Sequence, residues 1–285
     1  MVPLFISAAE MKSGTISCYA LRPMSRPPLL HHDASLVSNE EIAPRWWLMR
    51  VRHEAAAART RAGQFFMVRA AERAFPYLGR PFTLWDVEPG GVLAILYMAV
   101  GEGTAAMTRM RPGESLRMLG PLGNSFTHPR AAQRAVFVAG GVGIAPFRHL
   151  ARELGDAARW TLLLGGRSAP DVALVGEFEK LGGRVRVATE DGSRGTRGLV
   201  TTLLGDVEAD AALYTCGPHG MLHAVSGWAR ARRQRCEVSV EDRMACGYGV
   251  CVACALPVRD EGAADWRYAR ACTEGPIFEA ARLEL

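Results

Sequence analysis

The chain has 285 residues, of which 49% are hydrophobic and 22% are charged, and its net charge is +5. This balance is typical of a folded globular protein and excludes a disordered or fibrous chain, while the length allows two or three domains, each with its own core. The one dense basic run, RARRQR at 230–235, is interpreted as the solvated end of a helix, so no nucleic-acid partner is expected, and the apolar runs are too short to predict a membrane span.

Residues 1–32 contain a short apolar run that lacks the basic region and the length of a secretory signal. We predict an N-terminal extension without fixed structure, in which Met11 and Met24 are alternative start positions. A cytoplasmic location follows as an expectation. Thiols stay reduced in that compartment, where clustered cysteines more often bind metal than form disulfides.

Residues 33–130 are predicted to form a small antiparallel β-barrel. Short runs rich in β-branched and aromatic residues, among them PRWWLMRVR, QFFMVRA, RPFTLWDV and VLAILYMAV, alternate with turn residues. One helical stretch, GTAAMTRM at 103–110, begins with Gly103 and Thr104, whose free N–H groups can face a ligand. Arg80 could bind a diphosphate, because its planar guanidinium matches two phosphate oxygens. Taken alone, Arg80 is equally consistent with a surface residue, and Tyr97 with a core aromatic.

Residues 131–235 are predicted to form a doubly wound parallel sheet. The strand-like runs AVFVAGG, WTLLLGG, RVRVAT and AALYTCG are each followed by a helical stretch. Strands that alternate with helices at this spacing are typical of an α/β domain.

Glycine-rich turns follow three of these strands and indicate a dinucleotide cleft, because ligands of open α/β sheets bind at the carboxyl ends of the strands. A single such turn is just as often a tight connection, and Pro146 stands where the third glycine of GxGxxG would be. Cys216 is either a small buried residue or a contact of the nicotinamide. The predicted nucleotide contacts are Gly140, Gly141, Gly143, Pro146, Gly166, Arg167, Glu190, Asp191, Cys216, Gly217 and Pro218.

The choice between NAD and NADP depends on the end of the third strand. Glu190 and Asp191 favour a free ribose 2′-hydroxyl and therefore NAD. Arg194 is close to them in sequence and Arg167 ends a neighbouring strand, and these two basic residues favour NADP instead. NAD is the prediction.

Residues 236–285 are predicted to bind a metal cluster. Cys246, Cys251, Cys254 and Cys272 have the spacing C-x4-C-x2-C-x17-C, which matches the ligand pattern of a plant-type [2Fe–2S] cluster. The alternative is a structural zinc site with four cysteine ligands, but zinc usually takes two matched C-x2-C pairs and only one is present. Cys18 and Cys236 have no such context.

Several motifs in this order carry a resemblance: RPFT, GEGT, GPLGNSF, AGGVGIAPF and TCGPHGM. Together they resemble the ferredoxin–NAD(P) reductase superfamily, in which a flavin lies on the barrel and a nicotinamide nucleotide on the sheet. The tail MACGYGVCVAC…ACTEGPIF, together with GPLGNSF, resembles the electron-transfer subunits of class-B, NAD-dependent dihydroorotate dehydrogenases. The resemblance covers about residues 33–285.

The resemblance implies that FAD is held by the barrel, with Arg80 on its diphosphate and Thr83 near its reactive edge. Many relatives have serine at the position of Thr83. Because threonine also carries a hydroxyl group, the substitution keeps that group. The other FAD contacts implied are Pro81, Phe82, Leu96, Tyr97, Met98, Gly103 and Thr104.

The resemblance also implies a partner, because no residue of this chain is a candidate acid or base for orotate chemistry. In the family, an FMN-containing dihydroorotate dehydrogenase catalytic subunit oxidises dihydroorotate, and electrons run through the [2Fe–2S] cluster and FAD to NAD+. A heterotetramer of two plus two chains is expected. Subunits of sulfide dehydrogenases, hydrogenases and sulfite reductases are alternatives with the same cofactors, and a zinc-stabilised binding module is an alternative of another class.

Overall fold

The computed structural model describes residues 31–70, 77–260 and 262–284. Apart from residues 31 and 32, which begin the first strand, the predicted N-terminal extension lies outside this range.

Six antiparallel strands close a barrel in the order β1-β2-β5-β4-β3-β6, which confirms the predicted antiparallel barrel. Alternate residues of a strand point to opposite faces, so Phe66 and Val68 enter the barrel core while Phe65 and Met67 point outward into a second core. In the described part of the barrel, two short helices join the strands, and the second ends at Met107, three residues before the predicted end at residue 110. The barrel elements are β1 (His31–Ala43), β2 (Trp46–Arg52), α1 (Glu54–Ala57), β3 (Phe65–Ala70), β4 (Arg80–Glu88), β5 (Val92–Met98), α2 (Glu102–Met107) and β6 (Ser115–Leu122).

A seven-stranded sheet follows, in the order β10-β9-β8-β7-β11-β12-β15, in which β15 is Ile277–Glu279 near the C-terminus. All neighbours pair in parallel except the edge pair β12–β15, so the predicted doubly wound sheet is confirmed. Its elements are β7 (Ala135–Gly140), α3 (Ala145–Leu154), β8 (Trp160–Gly166), α4 (Val175–Glu179), β9 (Arg184–Thr189), β10 (Thr196–Arg197), β11 (Ala212–Cys216), α5 (His219–Ala231) and β12 (Cys236–Ser239). The stretches before α3, β8 and α4 and after β10 contain 3-10 turns at Gly141–Ile144, Ala157–Arg159, Ala169–Val172 and Val200–Asp206.

The chain leaves the sheet after β12 and returns to it near the C-terminus. Between these points it carries the cysteine motif and a two-stranded hairpin of β13 (Ala255–Arg259) and β14 (Trp266–Arg270). It then adds β15 (Ile277–Glu279) to the sheet edge, antiparallel to β12. The predicted boundary between residues 235 and 236 therefore falls directly before β12, a strand of this sheet. The alternation of strands and helices could not predict this continuation, because no helix follows β12.

A buried carboxylate joins the barrel to α3. Asp86 of β4 has no exposed surface, and its carboxylate pairs with Arg148 and, at 2.8 Å, with Arg152. Glu153 adds a second link, since its carboxylate accepts the backbone N–H of Ala62 at 3.1 Å. Because α3 begins directly after the glycine-rich turn of β7, these contacts fix that turn against the barrel.

Candidate functional site: a cleft between barrel and sheet and a four-cysteine loop

A cleft of about 340 Å³ opens between the barrel and the carboxyl edge of the sheet. The barrel contributes seven of the nine residues predicted to contact FAD, and the sheet contributes Pro146 and Cys216. The structure thus brings the predicted flavin and nicotinamide contacts into one space. The seven barrel residues are Pro81, Phe82, Thr83, Leu96, Tyr97, Met98 and Thr104.

The other two predicted FAD contacts, Arg80 and Gly103, lie against each other in a neighbouring crevice. The Arg80 Nε atom is 3.0 Å from the position that a Cβ atom would take at residue 103. A side chain there would displace the guanidinium. Arg80 Nη1 donates to the carbonyl of Leu78 at 2.8 Å, which orients the group and leaves its remaining donors for a ligand. This geometry fits a diphosphate held by an arginine fork.

Two polar groups of the predicted FAD site are already bonded within the protein. The Thr104 hydroxyl accepts the N–H groups of Val100 and Gly101 at 3.0 and 3.1 Å, so it orders the loop before α2. The Tyr97 hydroxyl donates to Asn39 at 3.0 Å, and burial raises its pKa far above the ordinary value. Tyr97 is therefore a neutral aromatic wall, held by a residue of β1 that the sequence did not indicate.

The glycine-rich turn after β7 packs directly on the end of β11. A Cβ atom at Gly143 would collide with the carbonyl of Cys216, whereas Gly141, at φ +52°, faces open space. Only glycine permits this approach. The contact places the first turn of α3 beside the Cys216 thiol, so the predicted nicotinamide residues are adjacent.

Cys216 is a buried thiol in this cleft, only 4% exposed. Burial, and next the charge of Glu241, raise its pKa well above the ordinary value, so it is neutral. A neutral thiol is a poor nucleophile. Its chemistry is therefore that of a small, polarisable contact surface.

The predicted adenosine contacts lie elsewhere along the sheet edge, at the ends of β8 and β9. The N–H groups of Glu190 and Asp191 donate to the carbonyls of Gly166 and Arg167, both at 3.1 Å. Asp191 accepts two hydrogen bonds from Ser193, which lower its pKa and keep it ionised. The carboxylates at this edge disfavour a 2′-phosphate.

Glu241 is a cleft residue that the sequence analysis missed. It follows β12 and lines the cleft together with Asp242 and Met244. Burial by the cleft walls raises its pKa, although the side chain reaches solvent at the open side. The rule that ligands bind at the carboxyl ends of parallel strands would have found it, had β12 been recognised as a strand of the sheet.

The four predicted cluster ligands form two pairs. The N–H of Cys251 points to the sulfur of Cys246 at 3.5 Å, and the N–H of Cys272 points to the sulfur of Cys254 at 3.4 Å. Across residues 31–70, 77–260 and 262–284, no three metal-binding side chains surround one point closely enough for a single ion. A [2Fe–2S] cluster needs two thiolates on each of two irons, whereas zinc needs four ligands around one ion. The pairs fit the two-iron cluster.

The thiols differ in how easily they ionise. At Cys246, burial is the largest single influence and raises the pKa, but N–H groups of Cys251, Tyr248 and Val250 outweigh it and lower the pKa to about 6. At Cys272, burial and then the neighbouring Cys254 raise the pKa to about 12. The positive charge of bound metal would therefore favour the thiolate form at Cys272 in particular.

Asn124 of the GPLGNSF motif fastens the last cysteine to the barrel. Its side-chain amide donates to the carbonyl of Ile277 at 2.8 Å and accepts the N–H of Ile277 at 3.0 Å. Its backbone N–H donates to Gly275 at 2.8 Å. The motif thus orders the segment that follows Cys272, a role that the sequence analysis did not assign.

Two family profiles match the chain. The iron–sulfur cluster binding domain of dihydroorotate dehydrogenase B matches residues 241–284, and an oxidoreductase NAD-binding domain matches residues 137–227.

Curated relatives match over most of the chain. The "Dihydroorotate dehydrogenase B (NAD(+)), electron transfer subunit" of Desulforamulus reducens is 36% identical and covers 86% of this chain and 95% of its own length. The protein of the same name from Caldanaerobacter subterraneus subsp. tengcongensis is 37% identical and covers 87% and 96%. These values extend the similarity across both the barrel and the sheet.

A solved structure of an NADH-dependent reduced ferredoxin-NADP oxidoreductase, described in terms of flavin-based electron bifurcation, has a TM-score of 0.76 at 26% identity and covers 92% of this chain and 91% of the solved chain. A ferredoxin NADP+ reductase from Neisseria gonorrhoeae with bound FAD and NADP has a TM-score of 0.60 at 14% identity and covers 71% and 91%. The second likeness shows the fold alone.

Proposed function

This chain belongs to the electron-transfer subunits of NAD-dependent dihydroorotate dehydrogenase B, and we propose that it works with an FMN-bearing catalytic chain in a heterotetramer of two plus two. It is the oxidoreductase subunit of that enzyme and uses FAD, a [2Fe–2S] cluster and NAD in electron transfer to NAD+ for pyrimidine biosynthesis.

We assign the cofactors to the residues described above. Arg80 and the backbone at Gly103 hold the FAD diphosphate, and Thr83 lies at the reactive edge of the flavin. Cys246, Cys251, Cys254 and Cys272 hold the cluster. When bound, the flavin exchanges hydride with NAD and single electrons with the cluster, which is the chemistry that no side chain of this protein supplies.

The nucleotide lies along the sheet edge. The glycine-rich turn at Gly140, Gly141 and Gly143 receives the diphosphate, and Glu190 and Asp191 bind the adenosine ribose. Cys216, with Gly217 and Pro218, supports the nicotinamide, because its neutral thiol adds no charge and excludes water from the cleft.

One observation carries this proposal: the loop at residues 246–254, here called the cysteine loop, packs against the strand that also lines the flavin cleft. A Cβ atom at Gly247 would collide with the Met67 side chain. Met67 belongs to the same buried core as Cys254 and Phe65, and Phe65 also lines the cleft. Phe65 and Met67 lie on the same face of β3, so these two side chains connect the cysteine loop with the cleft, which suits a one-electron relay.

The partner is expected at the cysteine loop. Large apolar side chains are exposed on this loop and on the β13–β14 hairpin that follows it, which is unusual for a surface meant to face water. A covering protein would bury them and bring its own redox group close to the cluster. They are Tyr248 (41% exposed), Val250 (72%), Val252 (54%), Trp266 (52%) and Tyr268 (64%).

The proposed place of action is the cytoplasm, where reduced thiols are available for cluster assembly. Within the residues that the structure describes, none of the helices has the length and apolar character needed to cross a membrane.

Two experiments test the proposal, one with the chain expressed alone and one with the chain co-expressed with its partner. Alone, the chain should oxidise NADH with artificial one-electron acceptors and should not act on dihydroorotate. Co-expressed with the FMN-bearing dihydroorotate dehydrogenase chain from the same source, it should copurify, and NAD-linked orotate formation should appear. Separate elution of the two chains, together with no NAD+ reduction by dihydroorotate in their mixture, would refute it.

A further inference from the structure

A groove of about 480 Å³ lies between the outer face of the barrel and the cysteine loop. Met67 and Leu119 form its floor, Tyr77 and Leu78 lie at its barrel side, and Cys246 lies at its loop side. The groove is separate from the cleft between barrel and sheet, with which it shares none of its lining residues.

Three charged residues stand in one row across the barrel face of this groove. Asp33 of β1 is the Cα partner of Arg117 of β6, and Arg117 is the partner of Arg69 of β3. Like charges directly opposite each other on neighbouring strands destabilise a sheet. Of the described residues that line the groove, Asp33 is the one carboxylate, so among them it balances only one of the two arginines.

Within the protein, Arg117 makes only a weak ion pair, and Arg69 makes a hydrogen bond that leaves other N–H groups of its guanidinium available. Arg117 Nε is 4.0 Å from the Asp33 carboxylate, and these side chains are 55% and 79% exposed. Arg69 Nη1 donates to the carbonyl of Tyr77 at 3.0 Å, which holds its guanidinium at the groove. The described residues do not compensate this cost, and a feature that costs stability is expected where function requires it.

We propose that the groove receives an acidic segment of the catalytic partner chain, with a carboxylate between Arg69 and Arg117. This inference rests on the proposed function. A carboxylate there would relieve the repulsion of the two arginines, and a guanidinium can bind it through two parallel hydrogen bonds.

The position of the groove suits this role. It opens beside Cys246, and its loop side continues into the exposed apolar surface at Tyr248 and Val250. Complementary charge at the edge of an apolar interface steers the partner and fixes its orientation. The arginine row would therefore set which part of the partner faces the cluster.

Charge reversal tests the inference in the full, cofactor-loaded subunit. Arg117→Glu is the cleaner change, because Arg69 also borders the crevice of Arg80 and Gly103. The double variant Arg69→Glu with Arg117→Glu gives the larger effect, and Arg117→Gln is a milder substitution should reversal disturb the barrel. The matched control reverses Arg59 and Arg111, which are exposed and outside the groove.

Binding to the FMN-bearing catalytic chain is measured by titration calorimetry at low and high salt. The Kd of Arg117→Glu should rise about tenfold or more at low salt, and the difference from wild type should shrink as salt screens the charges. The control should bind like wild type, and flavin and iron content should stay unchanged in Arg117→Glu and in the control.

Three results would overturn the inference. If Arg117→Glu binds the partner as tightly as wild type, no carboxylate lies in the groove. If it loses FAD, the row belongs to the flavin site. If reversal of Arg59 and Arg111 weakens binding to the same extent, the affinity depends on the net charge of the subunit and not on the groove. In each case wild-type binding still supports the proposed function, whereas wild-type subunit that fails to bind overturns that function and this inference with it.

Discussion

Asp86 is expected to fix the position of α3 relative to the barrel, and with it the two sides of the cleft between barrel and sheet. Its carboxylate is fully buried and pairs with Arg148 and Arg152, whose side chains are 19% and 41% exposed. Replacing it by alanine leaves the largely buried Arg148 charge with only the longer-range attraction of Glu177, and Arg148 Nε already lacks a hydrogen-bond partner. The β4–α3 contact should therefore loosen.

The magnitude follows from the burial of each partner. Removing one member of a buried pair costs about 3–5 kcal/mol. The Arg152 contact adds little, because water can replace the carboxylate at a half-exposed guanidinium, so the lower limit of about 3 kcal/mol applies. At about 2–4 °C per kcal/mol, Asp86→Ala should lower the melting temperature by about 6–12 °C.

Thermal unfolding followed by far-ultraviolet circular dichroism measures the change in stability. Glu88→Gln is the matched control. Glu88 lies on the same strand as Asp86, and its carboxylate pairs with Arg50, which is more exposed than Arg148, at 2.9 Å. Its replacement should lower the free energy of unfolding by at most about 1 kcal/mol. Stopped-flow reduction of the flavin by NADH should be slower in Asp86→Ala at unchanged FAD content, since α3 positions the turn at Gly143.

A double-mutant cycle decides whether the buried pair is the cause. Arg148→Met combined with Asp86→Ala removes both charges, so the combined loss should be smaller than the sum of the single losses by about 1–3 kcal/mol. Additive losses, or an Asp86→Ala variant as stable as Glu88→Gln, would refute the reasoning.

Three further predictions concern the cofactor sites. Cys272→Ser should abolish the cluster while FAD stays bound, because the ligand and the flavin contacts lie on different elements; full iron and sulfide content in the purified variant would contradict this. Arg80→Ala should weaken FAD binding about 10- to 100-fold, since a hydrogen bond to a charged group contributes about 1.5–3 kcal/mol, and FAD retained undiminished through dialysis would count against the site. Cys216→Ala should slow flavin reduction by NADH far more than it weakens FAD binding, and an unaltered stopped-flow rate would reduce Cys216 to a packing residue.

The barrel and the sheet could be predicted because their strands are regular. Runs such as VLAILYM and AVFVAG have the composition of buried strands, and the spacing of the cysteines specifies a cluster without any structural information. The implied FAD residues needed more, namely several motifs in a fixed order. These signals are local in sequence, so one sequence suffices to read them.

The contacts missed by sequence analysis join residues far apart in the chain. Asp86 meets Arg152 across 66 residues, and Asn124 meets Ile277 across 153. An aspartate in a strand or an asparagine in a turn can bond to many different partners. The partners of Asp86 and Asn124 are determined by how α3 and β15 pack against the barrel. Glu241 was missed for a related reason, because β12 became recognisable as a sheet strand only through its pairing with β11 and β15.

The return of the chain to the sheet at β15 makes the cysteine region an insertion rather than a detachable tail. Its two ends meet at the paired residues Ser239 and Ile277, like the ends of a long hairpin loop. Truncation before the cysteine motif would therefore strip an edge strand from the nucleotide domain, whereas excision between these two residues and closure with a tight turn would keep that strand. The cluster thus lies on a single insertion, and excision of residues 240–276 would also remove Glu241, Asp242 and Met244 from the wall of the flavin cleft.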